Sequence, residues 1–130
     1  MEKAPQESGI EKASGPRRLL AATRYSLQGL ARAWREEAFR TEAVAFVFGL
    51  VLLIAIGAEL IDYLVFVILM LVLFAVEALN TAIEELVDRV SPEISTVGRH
   101  AKDLGSFAVF CVSCAVGLFL LWCVWTRVLG

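Results

Sequence analysis

The stretch that decides the fold is VLFAVEALNTAIEELVDR, residues 72 to 89, an apolar run that takes in Glu77, Asn80 and Glu84 without ending. At about 100° per residue, Asn80, Glu84 and Asp88 all fall within about 60° of Glu77, so a helix gathers the four polar groups into one stripe. Glu85 stands about 80° off it on the same wheel. What those carboxylates do depends on the solvent around them, and composition decides that. Of the 130 residues, 58% are hydrophobic, against roughly 45–50% in soluble domains. This composition is that of a membrane protein. Formal net charge is −2, so bulk charge implies no nucleic-acid partner, and the position of the charges carries the information.

Working outward, the fold class is all-α membrane, with an N-terminal surface helix and three transmembrane helices. Residues 1–17, ending near Gly15-Pro16, are polar and of mixed charge, and read as a disordered tail. No apolar core of a secretory signal follows them. From 18 to 36 the pattern is amphipathic: Leu19, Leu20, Leu27, Leu30 and Trp34 share one face, and Arg18, Arg24, Arg32 and Arg35 the other. Such a helix suits a membrane surface with anionic headgroups. Apolar spans are expected at about 40–59, 63–88 and 103–126, the whole of 18–130 forming one membrane domain. Arg and Lys gather before the first span and in the loop before the third, at Arg89, Arg99 and Lys102, whereas Glu59 and Asp62 lie between the first two. The positive-inside rule then places the N-terminus in the cytoplasm and the C-terminus outside.

In that orientation Glu77 lies ~21 Å along the second span from Tyr63, in the cytoplasmic half of a ~30 Å core, and Glu84 near the surface. An unpaired acid at mid-membrane costs ~2.5–3.5 kcal/mol on insertion scales, so Glu77 needs a partner or a wet site, and is a functional candidate. The bland alternative is a polar contact between helices. Burial favours the neutral form of a carboxyl, so Glu77 is suited to accept a proton as a general base, while Glu84 with Glu36 or Glu37 offers oxygen ligands to a hard divalent cation. The loop sequence GRHAKD, residues 98–103, adds Arg99 and Lys102 to neutralise phosphates and Asp103 as an acceptor. Base, metal and cation clamp are the parts of phosphoryl transfer. No Gly-rich nucleotide loop is present, so a standard kinase domain is excluded. His100 reads as solvated, and Cys111, Cys114 and Cys123 as small hydrophobes within a span.

These residues resemble the small prokaryotic diacylglycerol kinases over most of 18–126. EALNTAIEELVDR, residues 77–89, is similar to the family signature, and AKDLGS, residues 101–106, supports it at the family's separation. YSLQGLARAW and EEAFRTE, residues 25–34 and 36–42, resemble the family's surface helix and its entry into the first span. The resemblance implies an ATP-dependent, Mg2+-requiring homotrimer of the bacterial inner membrane that phosphorylates diacylglycerol to phosphatidic acid, its active sites shared between subunits. It implies Glu77 as catalytic base, Glu84 as metal and ATP ligand, and Asn80 as an active-site polar group. By the same resemblance, Arg18, Tyr25, Glu93, Lys102 and Asp103 hold nucleotide, and Ala38, Phe39, Arg40, Thr41, Glu42 and Ser106 line the lipid side. The junction is one residue shorter than the family's, so Phe39 points to Glu36 and Trp34 to Glu37 as the second metal ligand. A polyprenol kinase such as one acting on undecaprenol is the alternative within the family. A non-enzymatic transport or channel subunit carrying protons on Glu77 is the alternative outside it.

Overall fold

The computed structural model describes residues 14–93 and 95–130; most of the expected tail therefore lies outside the described residues. The described chain is helical, with α1 at Pro16–Ala33, α2 at Glu37–Ala55, α3 at Leu60–Val90 and α4 at Thr96–Val124, the last running on into a π-helical turn at Trp125–Leu129. It divides between Arg32 and Ala33 into two compact units.

The first unit is essentially α1. Gly15 takes a positive φ of 64°, open to glycine at little cost, and Pro16 occupies the first helical position, where its missing N–H is no loss. The helix therefore starts two residues earlier than expected and claims Pro16 and Arg17 from the predicted tail. It also ends three residues earlier, at Ala33, leaving Glu36 to precede α2.

In the second unit, α2, α3 and the continuous helix Thr96–Leu129 are each long and apolar enough to cross a membrane. The second and third of these run past the expected 63–88 and 103–126 at both ends, whereas α2 starts three residues before the expected 40–59 and stops four residues short of its end, at Ala55. Ser95 caps α4 by accepting a hydrogen bond from the Gly98 amide at 3.0 Å, which satisfies an otherwise orphaned N–H. GRHAKD therefore forms the first turns of α4, and the expected basic loop is corrected to helix.

The connection from α2 to α3 follows from Gly57, whose φ is 67°. Its amide bonds the Ile54 carbonyl at 3.2 Å, and the Ala58 amide bonds that of Leu53 at 2.9 Å, a Schellman ending. Glu59 then opens α3 with a capping box, its amide donating to Asp62 at 3.0 Å. Arg127 reaches both carboxylates, at 2.8 Å from Glu59 and 2.9 Å from Asp62, and so ties the end of the chain to this turn.

The buried core is small: Leu53 from α2, Phe66, Met70 and Leu73 from α3, and Cys123 from α4. Phe66 can lie flush on α2 because residue 49 is glycine, where any Cβ would overlap the ring. Phe46 stacks on Phe66 at 5.7 Å, and Phe39 packs on Phe74 at 5.1 Å. Much of the large apolar surface elsewhere is exposed, Phe48 at 73% and Leu121 at 67%. Such surface needs lipid or another protein face to cover it.

Candidate active site

Glu77 and Asn80 are the buried polar side chains among the described residues. Burying such groups is costly unless each finds a partner. Four residues further along α3, Glu84 accepts a hydrogen bond from Asn80 Nδ2 at 3.3 Å, so the stripe expected from helical spacing is real. Asn80 Oδ1 has no hydrogen-bond partner among the described residues. It lies over Gly105 of α4, where a Cβ would collide with it. The carboxyl of Glu42, from α2, comes within hydrogen-bonding reach of Glu77.

A cavity of about 310 Å³ opens over this stripe, lined by Glu36, Ala38, Glu77, Asn80, Thr81, Glu84, Ser106 and Val109. Six of these were sequence candidates. Thr81 and Val109 were not; Thr81 lies four residues after Glu77 on α3 and Val109 three after Ser106 on α4, so helical spacing could have found both. Glu36 lines the cavity and Glu37, which opens α2, does not. Phe39, Arg40, Thr41 and Glu42, expected on the lipid side, are also absent from its walls. Phe39 is buried among aromatic rings, and the Thr41 hydroxyl is occupied by the Glu37 carbonyl at 3.0 Å. Arg40 turns back toward the Trp34 carbonyl at 3.5 Å.

One turn further along α3, a second cavity of about 350 Å³ lies between α3 and the start of α4. It is lined by Asp88, Ser91, Glu93, Ser95, Arg99, Lys102 and Asp103, among others, and so gathers three of the expected nucleotide residues. Hydrogen bonds from Ser91 to Ser95 at 2.8 Å and from the Ser95 amide to the Glu93 carbonyl at 2.8 Å hold the connecting turn. Gly98 permits the close approach, since a Cβ there would sit 2.9 Å from Val87. Lys102 pairs with Asp88 across the two helices. Glu84 and Asp88 are four residues apart, so the two cavities follow one another within about 6 Å along α3. Of the other nucleotide candidates, Glu84 lines the first cavity and Arg18 and Tyr25 are exposed on α1.

Among the described residues, no group of three or more His, Cys, Asp or Glu side chains could cage a metal ion. Mg2+ rarely requires such a cage: it commonly takes one or two carboxylates and fills its shell with water and substrate phosphates. Glu36 and Glu84 in one cavity wall fit that mode.

Comparison with known proteins points the same way. The family model described as prokaryotic diacylglycerol kinase matches residues 24–124. A protein of Sinorhizobium sp named diacylglycerol kinase is 49% identical over 119 residues, covering 92% of this chain and 87% of the relative. Diacylglycerol kinases of Haemophilus influenzae and Escherichia coli K12 are 37% and 35% identical, covering 82% and 85% of this chain and 92% and 90% of their own. The match takes in α2 and α3 entire and α4 up to its π-helical turn, and with it both cavities: the chain belongs to the prokaryotic diacylglycerol kinase family.

Proposed function

We propose that this chain transfers the γ-phosphoryl group of ATP to the hydroxyl of diacylglycerol, forming phosphatidic acid at the cytoplasmic face of the bacterial inner membrane. The observation that carries this reading is the cavity in which a buried Glu77 stands beside Asn80, Glu84 and Glu36 on a helix apolar enough to cross a membrane. A base at that depth meets a lipid hydroxyl arriving sideways and is poorly placed for a water-soluble acceptor.

In the proposed step the diacylglycerol hydroxyl approaches Glu77 laterally. Its oxygen attacks the γ-phosphorus, its proton passes to the Glu77 carboxylate, and the bond from the γ-phosphorus to the bridging oxygen breaks, releasing ADP. Catalysis of this kind rests mainly on positioning and charge neutralisation. Nucleotide occupies the second cavity, with Glu93 and Asp103 in its wall and Lys102 at the phosphates; Arg18 and Tyr25 are proposed as nucleotide-binding residues on the family resemblance alone. Glu84, Asn80 and Glu36 face the transferring end. Mg2+ bound by Glu36, Glu84 and the phosphates would neutralise charge on the phosphoryl oxygens. Ala38 and Ser106 border the lipid.

The functional unit is proposed to be a homotrimer, with α1 lying on the membrane surface, its leucines toward lipid and its arginines toward headgroups. The N-terminus is then cytoplasmic and the C-terminus external. Support for assembly comes from the broad exposed apolar faces of the spans.

The test is label transfer from γ-labelled ATP in mixed micelles with Mg2+, offering diacylglycerol or undecaprenol. Label in phosphatidic acid that is lost in Glu77→Gln is the expected result. Label in polyprenyl phosphate would move the substrate to the long-chain alcohol, and no transfer by folded protein would favour a non-enzymatic membrane subunit.

A further inference from the structure

Glu42 was expected beside the lipid, yet it stands behind Glu77, and nothing so far accounts for a second acid there. Its carboxyl reaches that of Glu77 across the α2–α3 interface, but only Glu77 lines the cavity. Glu42 Oε2 is buried with no donor among the described residues. On α2 it sits between Phe39 and Phe46, three residues after one and four before the other, and both rings pack on Phe74 of α3, at 5.1 and 6.0 Å. Phe39 and Phe46 thus share with Glu42 the face of α2 that meets α3. Among the described residues, the charged groups near Glu77 are Glu42, Glu84 and Glu36, and Glu77 is the one near Glu42. From α4 the cavity receives Ser106 and Val109, neither of them charged.

We propose that Glu42 and Glu77 share one proton, and that Glu42, as the protonated member, donates a hydrogen bond that aims the Glu77 carboxylate at the acceptor hydroxyl. Two carboxylates cannot hydrogen-bond each other, and two negative charges at that separation repel strongly. A single proton converts the repulsion into a short, charge-assisted O–H···O bond. The charge settles on Glu77 because that carboxyl lines a polar cavity whereas Glu42 Oε2 is enclosed with no donor among the described residues, and a charge is least costly where it is best solvated. Glu42 is thus a positioning residue. It keeps the base ionised and fixes its lone pair, without touching substrate.

This inference rests on Glu77 as the base of the proposed reaction, so its test includes a readout independent of activity. Infrared spectra of the full chain in lipid at neutral pH are compared between wild type and Glu42→Gln. A carboxylic-acid C=O band that shifts in heavy water and is missing from the variant is expected; its absence from wild type overturns the proposal. In the micelle assay Glu42→Leu is expected to lose about 10- to 100-fold in kcat, the worth of one hydrogen bond to a charged group. Glu42→Gln keeps an N–H donor and should retain at least about ten times the kcat of the leucine variant. Because that donor cannot ionise, the alkaline fall in kcat should move to higher pH in Glu42→Gln. Equal losses in both variants, or an unmoved alkaline limb, overturn the proposal. Should wild type phosphorylate no diacylglycerol while the band is present and lost in Glu42→Gln, the kinase reading falls and the shared proton stands.

Discussion

The amide oxygen of Asn80 occupies the space in which a side chain on Gly105 would begin. This close approach brings α4 against the polar stripe of α3 and holds Asn80 where its Nδ2 meets Glu84. Gly105→Ala should therefore push Asn80 out of register and cost about 1–3 kcal/mol of stability through overpacking. Lipid phosphorylation should fall by about tenfold or more, as expected when a site group is misplaced by an ångström. Thermal unfolding in detergent and the micelle assay would measure the two effects separately.

Glu36 and Glu37 are neighbours with different surroundings, because only Glu36 enters the cavity that holds Glu77 and Glu84. Glu36→Gln should raise the Mg2+ concentration needed for half-maximal activity by about tenfold or more, the usual scale for disturbing a metal shell. Glu37→Gln should leave that concentration within about twofold of wild type. A magnesium titration at saturating ATP distinguishes the two.

Lys102 and Asp88 join α3 to α4 through a pair whose side chains are 40% and 67% exposed. Exposed pairs contribute about 0–1 kcal/mol, so Asp88→Asn should shift unfolding little. Lys102→Met should raise the KM for ATP by about tenfold or more, since the ammonium is proposed to meet the phosphates. A KM unchanged in Lys102→Met would remove Lys102 from the nucleotide site.

At the opposite end of the helices, hydrogen bonding to Arg127 holds the Glu59 carboxyl below its ordinary value of 4.5. A depressed folded value means that this contribution to stability is complete above about 4.5 and is lost as pH falls through the lower folded value. The melting temperature in detergent should thus decline on acidification below that point, and Arg127→Gln should flatten this part of the profile. Because Glu59 is fully exposed, the change should be small beside that caused by core substitutions.

The spans and the stripe of Glu77, Asn80 and Glu84 were legible because both follow from regular spacing along one helix. Relations between helices were not. The pairing of Arg127 with Glu59 and Asp62 joins residues more than sixty positions apart, and no local pattern marks it. Glu42 illustrates the same limit, since the family resemblance assigns it to the lipid side while packing brings it within reach of Glu77. The start of α4 was misplaced for another reason. Charged residues at 98–103 ended the hydropathy window, whereas the Ser95 cap and favourable helix propensity carried the backbone straight through them.

Cys123 is only 1% exposed and packs with Leu53, Phe66 and Met70, next to the turn that Arg127 secures. A thiol sealed in that way is a built-in clock. A membrane-permeant alkylating reagent can reach it only when the three helices part at this end, so its rate of modification reports how often the native protein breathes there, without denaturant and without an introduced label.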